Sequence, residues 1–350
     1  MKKRLYVDFH VLQTVPPSCI NRDDTGSPKT AIYGGVTRAR VSSQAWKHAM
    51  RQAFVEESLL DEEDVGKRTK KVTELVEKEI AALAPEKDAA KLAKKTLDNA
   101  GIKNDEKGTK ALFFISQAQI KALATLAVAD DIEDKKAYKE ALQKALRKNP
   151  SVDIALFGRM VADDPSLNFD AAAQVAHSIS THAVQNEYDY FTAVDDCQVE
   201  DNAGAGHLGT VEYNSATLYR YATVNVMELE RHLGAKKAAE VVRSFGEAFI
   251  RSMPTGKQNT FANRTLPDAV YVTIREDQPV NLCGAFERAV RKSAEGYAEP
   301  SKSALQALCT AAVSELCGGP CKELYRGHRA GSTGPGPAAE HHAGCTGRSC

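Results

Sequence analysis

Residues 55–148 carry helical periodicity and little else, whereas the stretches on either side mix strand, turn and helix signals. Within that block VTELVEKEIAALA, DAAKLAKKTLDNA and KKAYKEALQKALRK set apolar residues three or four apart, the spacing of one helix face. Their many Lys and Glu residues read as an ordinary solvated helical surface. A run of this kind predicts a helical block inserted between the elements of a main domain.

The flanks define that domain. Residues 4–13 alternate Leu5, Val7, Phe9 and Val11, the pattern of a half-buried strand. From 14 to 41, Pro16-Pro17, Asn21 to Asp24, Gly26, Pro28 and Gly34-Gly35 predict loop. Ser42 and Ser43 then cap a helix running through Trp46, Met50 and Ala53. SVDIALFGRM (151–160) returns to the main domain, with a small helix expected over 169–180. The strand-like segments YDYFTAV and ATLYRYATVNV bracket an extended excursion at 186–214. A helix over 228–250, a strand over 269–274 and a helix over 281–292 follow. Short strands mixed with helices, without a long βαβα series, predict an α+β fold, a sheet packed by helices on one side. The ferredoxin-like arrangement of RNA-recognition modules is one such sheet, although a fold alone gives no function.

Charge separates two regions that the balanced totals, 46 basic and 46 acidic residues, conceal. Residues 1–54 hold nine Lys/Arg against Asp8, Asp23 and Asp24, and a local excess of this kind is what a phosphate backbone responds to. A solvated basic face is the plainer alternative. Between 181 and 219 there is no Lys or Arg, while Glu187, Asp189, Asp195, Asp196, Glu200, Asp201 and Glu212 accumulate. Lys2-Lys3-Arg4 followed by Leu5, Tyr6 and Val7 imitates a signal peptide, but Asp8 and His10 break the apolar run. No uncharged stretch nears the roughly 18 residues of a membrane helix. With Cys19, Cys197 and Cys283 the only cysteines before residue 300, a cytoplasmic protein is expected.

The enzymatic motifs fail on context. Gly204, Gly206 and Gly209 fit G-x-G-x-x-G, with Glu228 or Glu230 near the ribose-binding distance. That chemistry needs a strand before the glycines and a helix after them. Here the acidic QVEDNA precedes and the strand-like ATLYRY follows. PTGKQNT (254–260) lacks the first P-loop glycine and the Ser/Thr, leaving Lys257, Gln258 and Asn259 as polar turn residues or phosphate contacts. His177 and His182 are five apart and make no helical metal pair. The segment 18–51 is the stronger signal. Glycines permit close approach of a ligand, the serines mark a helix N-terminus, and Gln44, Lys47, His48 and Arg51 follow on adjacent turns. Lys47 and Arg51, four apart, share a face, which makes a competent phosphate cradle.

HVLQTVPPSCINRDD, IYGGVTRARVSSQAWKHAMR, DIALFGRM and YDYFTAVDD…GAGHLGTVEYNSATLYRYATVN occur in that order and together resemble the CasC family, the backbone subunit of type I-E Cascade in the RAMP superfamily. The resemblance runs over about residues 4–300. It implies a modified ferredoxin-like (RRM-like) palm (1–54, 151–185 and 216–304), helical fingers (55–150) and a thumb hairpin (186–215). It further implies a non-catalytic subunit, several copies of which stack head to tail along one CRISPR RNA and hold its spacer open for target DNA, beside other Cascade subunits. Carried across, Asn21, Arg22, Lys29, Ser42, Gln44, Lys47, His48 and Arg51 match the palm loop and helix on the RNA backbone. Met160 matches a palm residue near the bases. Phe191, Thr192 and Leu208 match a thumb that wedges into the guide and flips nucleotides, and Lys257 and Gln258 match a second basic loop. No cofactor and no metal are expected. The rival reading is an RNA-cleaving relative using His10 or Asp153.

From about residue 305 the resemblance stops. The Gly-, Pro-, His- and Cys-rich composition of 305–350 predicts a disordered tail. A zinc-dependent interaction segment using Cys317, Cys321, His341 and His342 is the alternative, though the spacing fits no common finger.

Overall fold

A computed structural model describes residues 4–105, 108–129, 134–161, 163–193 and 208–309, with the backbone of 322–327. In chain order the elements begin with β1 (Tyr6–Ser18), β2 (Thr30–Tyr33), β3 (Val36–Val41) and α1 (Ser43–Glu56). Next come β4 (Lys67–Thr69), α2 (Val72–Leu83), α3 (Ala89–Ala100), β5 (Asn104–Asp105), β6 (Gly108–Thr109) and β7 (Phe113–Ile115). They are followed by α4 (Gln117–Ala129), α5 (Lys135–Arg147), α6 (Val152–Phe157), β8 (Ala173–Val175), β9 (Ser178–Ser180), β10 (Glu187–Thr192) and β11 (Leu208–Asn225). The series closes with α7 (Val226–Leu233), α8 (Ala235–Arg251), α9 (Gln258–Phe261), β12 (Ala269–Arg275), α10 (Ala298–Leu308) and β13 (Lys322–Gly327). Two compact units divide the chain. One comprises Met1–Met50, Val175–Thr223 and Gly246–Cys350, and the other Arg51–Gln174 and Val224–Phe245.

The first unit is built on a sheet in the order β13-β12-β1-β11-β9-β3-β2, with β10 paired along the outer part of β11. The pairs β1/β12, β12/β13, β9/β11, β3/β9, β2/β3 and β10/β11 are all antiparallel. β1 is central and buried on both faces, not one. Phe9 meets the end of α8 edge-on through Phe249, 6.4 Å between ring centres. On the opposite face Leu12 packs with Tyr219, Tyr271, Leu282, Phe286 and Leu305, so the 3-10 turn Leu282–Phe286 and α10 form a second covering layer. Helical elements therefore lie on both faces, where one was expected.

Other local expectations are corrected. The 14–41 loop contains the end of β1 and the β2/β3 hairpin. Gly34 and Gly35, with φ of 58° and 76°, form its two-residue turn, the geometry that suits twisted strands. The helix expected over 169–180 is instead β8 and β9, because Ala173, Val175, Ser178 and Ser180 bury alternate positions. The 228–250 helix breaks at Gly234, whose φ is 79°. Over 281–292 only the 3-10 turn forms. Of the tail, residues 305–308 complete α10 and 322–327 pair with β12. Cys317, Cys321, His341 and His342 lie outside the described residues.

In the second unit α2, α3, α4 and α5 enclose a core of Val76, Ile80, Leu97, Ile120, Leu123, Leu142 and Leu146. Each such side chain contributes about 1.5–3 kcal/mol on burial, which is why the 3.6-residue spacing was legible. Among the described residues no helix is long and apolar enough to cross a membrane.

Candidate nucleic-acid interface

β1 runs into a loop that is closed by its own polar groups. The Asp23 carboxylate accepts the N–H groups of Thr25 (2.9 Å) and Ser27 (3.0 Å) and the Thr25 hydroxyl (2.7 Å). These hydrogen bonds hold its carboxyl below the usual range. Asn21 ties the loop to the next two elements. Its carbonyl accepts the Lys29 N–H at 2.9 Å, and its side-chain oxygen accepts the Ser42 N–H at 2.8 Å. Ser42 Oγ in turn accepts the Ala45 N–H at 3.3 Å, capping α1. Asn21, Lys29 and Ser42 thus meet where α1 begins, and a helix N-terminus favours an anion.

The turn 254–257 docks against this loop. At Gly256 an added Cβ would fall 2.3 Å from the Ile20 carbonyl oxygen, so only glycine permits the approach. Lys257 takes a left-handed φ of 50°, which costs a side-chain-bearing residue about 1–2 kcal/mol. Burial raises the Cys19 thiol pKa, while the charges of Arg22 and Lys257 act on it in the opposite sense. A groove of about 550 Å³ is lined by residues Ile20 to Gly26 and by Gly256. Gln258, exposed, opens α9 beside Lys257.

Along α1, Gln44 and His48 are exposed four residues apart on one face. Lys47 is half-buried, and burial lowers the pKa of its ammonium group. Arg51 is committed elsewhere. Its Nε lies 2.8 Å from the Asp153 carboxylate, its Nη2 donates to the Gly66 carbonyl at 3.1 Å, and its guanidinium lies 4.6 Å from the Phe114 ring centre. Asp153, fully buried, also accepts from Ser151 Oγ (2.6 Å) and the Gly66 N–H (2.8 Å). Met160, 84% exposed, follows Arg159, whose buried guanidinium donates to the carbonyls of Phe114, Leu146 and Leu167. Arg51 and Met160 belong to the second unit; the other predicted residues belong to the first.

The β10/β11 hairpin pairs Glu187 with Tyr213 at its base and Thr192 with Leu208 at the limit of the described residues. Every β10 side chain is exposed. The base is fixed by hydrogen bonds from Asn186 to Glu212 (3.1 Å), from Asn214 to Asn186 (3.0 Å) and from Ser215 to the Val15 carbonyl (2.9 Å). Phe191, Thr192 and Leu208 come together at the outer end.

Two residues escaped the sequence reading. Arg40 donates its N–H to the Lys29 carbonyl (2.9 Å) and lies 3.2 Å from His177 Nδ1, whose pKa falls through burial and then through this charge. The signal was present in TRAR, a basic strand leading into α1. Gly256 was noticed only for its place in a failed P-loop pattern. The two candidate catalytic groups are both internal. His10 is 1% exposed, its Nδ1 is 2.9 Å from the Tyr219 hydroxyl, and burial lowers its pKa to about 3, whereas Asp153 is bound as above. Among the described residues no cluster of three metal-ligating side chains occurs.

This combination of sheet and insertion is found in chains of CRISPR RNA-guided surveillance complexes. One such complex, pre-nicking, contains a chain 32% identical, with 93% of each chain covered and a TM-score of 0.77. A second contains a chain 30% identical, covering 93% of this chain and 90% of that one, with a TM-score of 0.61. The protein belongs to the CT1975-like family, whose model matches residues 7–335 and so extends past residue 305. This agrees with the CasC-type backbone subunit that the sequence resembles. No curated protein matches.

Proposed function

We propose that this chain is a non-catalytic subunit of a CRISPR RNA-guided surveillance complex that binds guide RNA through its phosphates. The observation that carries the reading is the convergence of the loop that carries Arg22 and Lys29, the Gly256–Lys257 turn and the capped start of α1, in a chain similar to those of such complexes. In this reading residues 1–54, 151–185 and 216–304 make the modified ferredoxin-like palm, the helical insertion the fingers, and the β10/β11 hairpin a thumb. Phe191, Thr192 and Leu208 insert between nucleotides. Further copies add head to tail, a heterologous contact that extends as an open filament, with the acidic thumb of one copy facing the basic palm of the next. The guide so held pairs with target DNA, and cutting belongs to another subunit. The protein acts in the cytoplasm.

Purification of the complex with a discrete short RNA tests the core of this. RNA affinity should fall steeply with salt and vary little with guide sequence, because phosphate contacts carry no sequence information. Strong sequence dependence would overturn backbone readout. Cleavage of RNA by the pure complex, with or without Mg²⁺, that disappears in His10→Ala would establish the catalytic rival instead.

A further inference from the structure

Arg40 and His177 meet across the β3/β9 pair. In the antiparallel register Arg40 stands opposite Ile179, so Arg40 and His177 are diagonal neighbours on one face of the sheet. Arg40 Nη1 lies 3.2 Å from His177 Nδ1, and Arg40 Nε donates to the Thr30 carbonyl at 3.1 Å. A guanidinium can only donate, so Nδ1 is the acceptor and the imidazole proton sits on Nε2. Burial, and then the charges of Arg40 and Lys29, lower the His177 pKa, which keeps the ring neutral at pH 7. Among the described residues neither side chain has a carboxylate partner, and His177 Nε2 and Arg40 Nη2 have no hydrogen-bond partner. His177 is exposed and Arg40 half-buried. The pair borders the start of α1, because the Arg40 N–H donates to the Lys29 carbonyl at 2.9 Å and Ser178, next to His177, accepts from Trp46 Nε1 at 2.9 Å.

We infer that Arg40 and His177 form a paired donor site for one phosphate of the RNA backbone, the arginine supplying charge and the histidine a directed Nε2–H. The inference rests on the reading of this surface as one that binds RNA through its phosphates. The partners of Arg40 are a carbonyl and an imidazole nitrogen, and neither neutralises it. A guanidinium held by uncharged acceptors keeps its charge for a phosphate and is already oriented, so less rotamer freedom is lost on binding. By occupying Nδ1, Arg40 also commits the other ring nitrogen of His177 to donate, since the hydrogen bond at one imidazole nitrogen sets the role of the second. The two residues are 137 apart in the chain, so no run of consecutive residues carries this site.

The test measures binding of the full-length chain to single-stranded RNAs of unrelated sequence over a range of salt at pH 7.5. Arg40→Gln should lower the salt slope by about 0.7 per bound chain, one phosphate contact fewer, whereas Arg40→Lys should keep it. His177→Ala should weaken binding about tenfold with the slope unchanged, because a neutral donor releases no counterion. His177→Gln, which offers both an acceptor for Arg40 and a donor farther out, should bind within about threefold of wild type. His177→Asn keeps an acceptor near the Nδ1 position but reaches nothing at Nε2, and should bind as weakly as His177→Ala. This exposed-site series carries the test if Arg40→Gln folds poorly. Wild-type affinity in His177→Asn would show that His177 only holds Arg40 and would overturn its contact with phosphate. A slope unchanged in Arg40→Gln but reduced in Lys257→Gly would overturn the paired site and leave the phosphate-binding reading intact. A slope unchanged in both would overturn that reading itself.

Discussion

The guanidinium of Arg220 lies 3.8 Å from the ring centre of Trp46, with no carboxylate among its hydrogen-bond partners in the described residues. It stacks on Phe249 from 4.7 Å and donates to Gln13 Oε1 at 2.6 Å and to the Phe249 carbonyl. Burial lowers its pKa to about 9, still leaving it charged at neutral pH. Trp46 Nε1 donates to Ser178 Oγ at 2.9 Å. The first half of α1, which carries Gln44, Lys47 and His48, is thus fastened to the sheet through one cation and one indole.

Trp46→Ala should lower unfolding stability by about 3–5 kcal/mol in urea titrations, the usual cost of emptying a large buried aromatic site. Because Arg220 then loses its stacking partner, Trp46→Ala and Arg220→Ala together should cost about 1 kcal/mol or more less than the sum of the single changes. Strict additivity would show that the two side chains act separately.

Such pairings explain what the sequence could and could not reveal. The α2, α3 and α5 segments were legible because each buries one face at helical spacing in a local core. The candidate loop before α1 stood out because capping serines, glycines and basic residues are consecutive. Arg220 meets Trp46 and Gln13 across large sequence separations, and nothing local in LYRYA announces a buried guanidinium. The β2/β3 hairpin was hidden for another reason: Gly34-Gly35 reads equally well as loop or as tight turn. Gly256 was invisible because its importance lies in the Ile20 carbonyl, over two hundred residues away in the chain.

Arg51→Ala should separate structure from RNA contact. Breaking its buried pair with Asp153 leaves that carboxylate with only neutral donors. Since Arg51 keeps 22% exposure, a loss of about 2–4 kcal/mol is expected, toward the lower end of buried pairs. The salt slope of RNA binding should not change, because the guanidinium is already engaged. A fall in slope of about 0.7, the contribution of one phosphate in a single strand, would place Arg51 on the RNA.

Acid should destabilise the first unit through its internal histidines. His10 has its pKa lowered from 6.5 to about 3 by burial, reinforced by the charge of Arg275. His182 shifts the same way, since burial disfavours its cation and Nε2 accepts the Thr217 N–H at 3.1 Å. The unfolded chain binds these protons first, so stability is complete above pH 6.5 and falls as pH drops from there toward 3. His10 contributes a slope of about 1.4 kcal/mol per pH unit in that window, and His182 adds to it in the same direction. His10→Gln should flatten the dependence measured by urea midpoints from pH 7 to 4; an unchanged slope would show that His10 is not the group responsible.

Lys257 offers the sharpest separation of stability from binding. Its left-handed φ of 50° suits glycine, and it persists because Gly256 is held against Ile20. Lys257→Gly removes the strain and also increases the freedom of the unfolded chain, so stability should stay level or rise by up to about 1 kcal/mol. RNA affinity should nonetheless fall equally for all guide sequences, with the salt slope reduced by about 0.7, one phosphate contact fewer. Gly256→Ala should act the other way round. It forces the 254–257 turn off Ile20, lowering stability and moving Lys257 away from Arg22 without removing any charge. If Lys257→Gly weakened folding and left the salt slope intact, Lys257 would be a structural residue and the strained turn would need a different explanation.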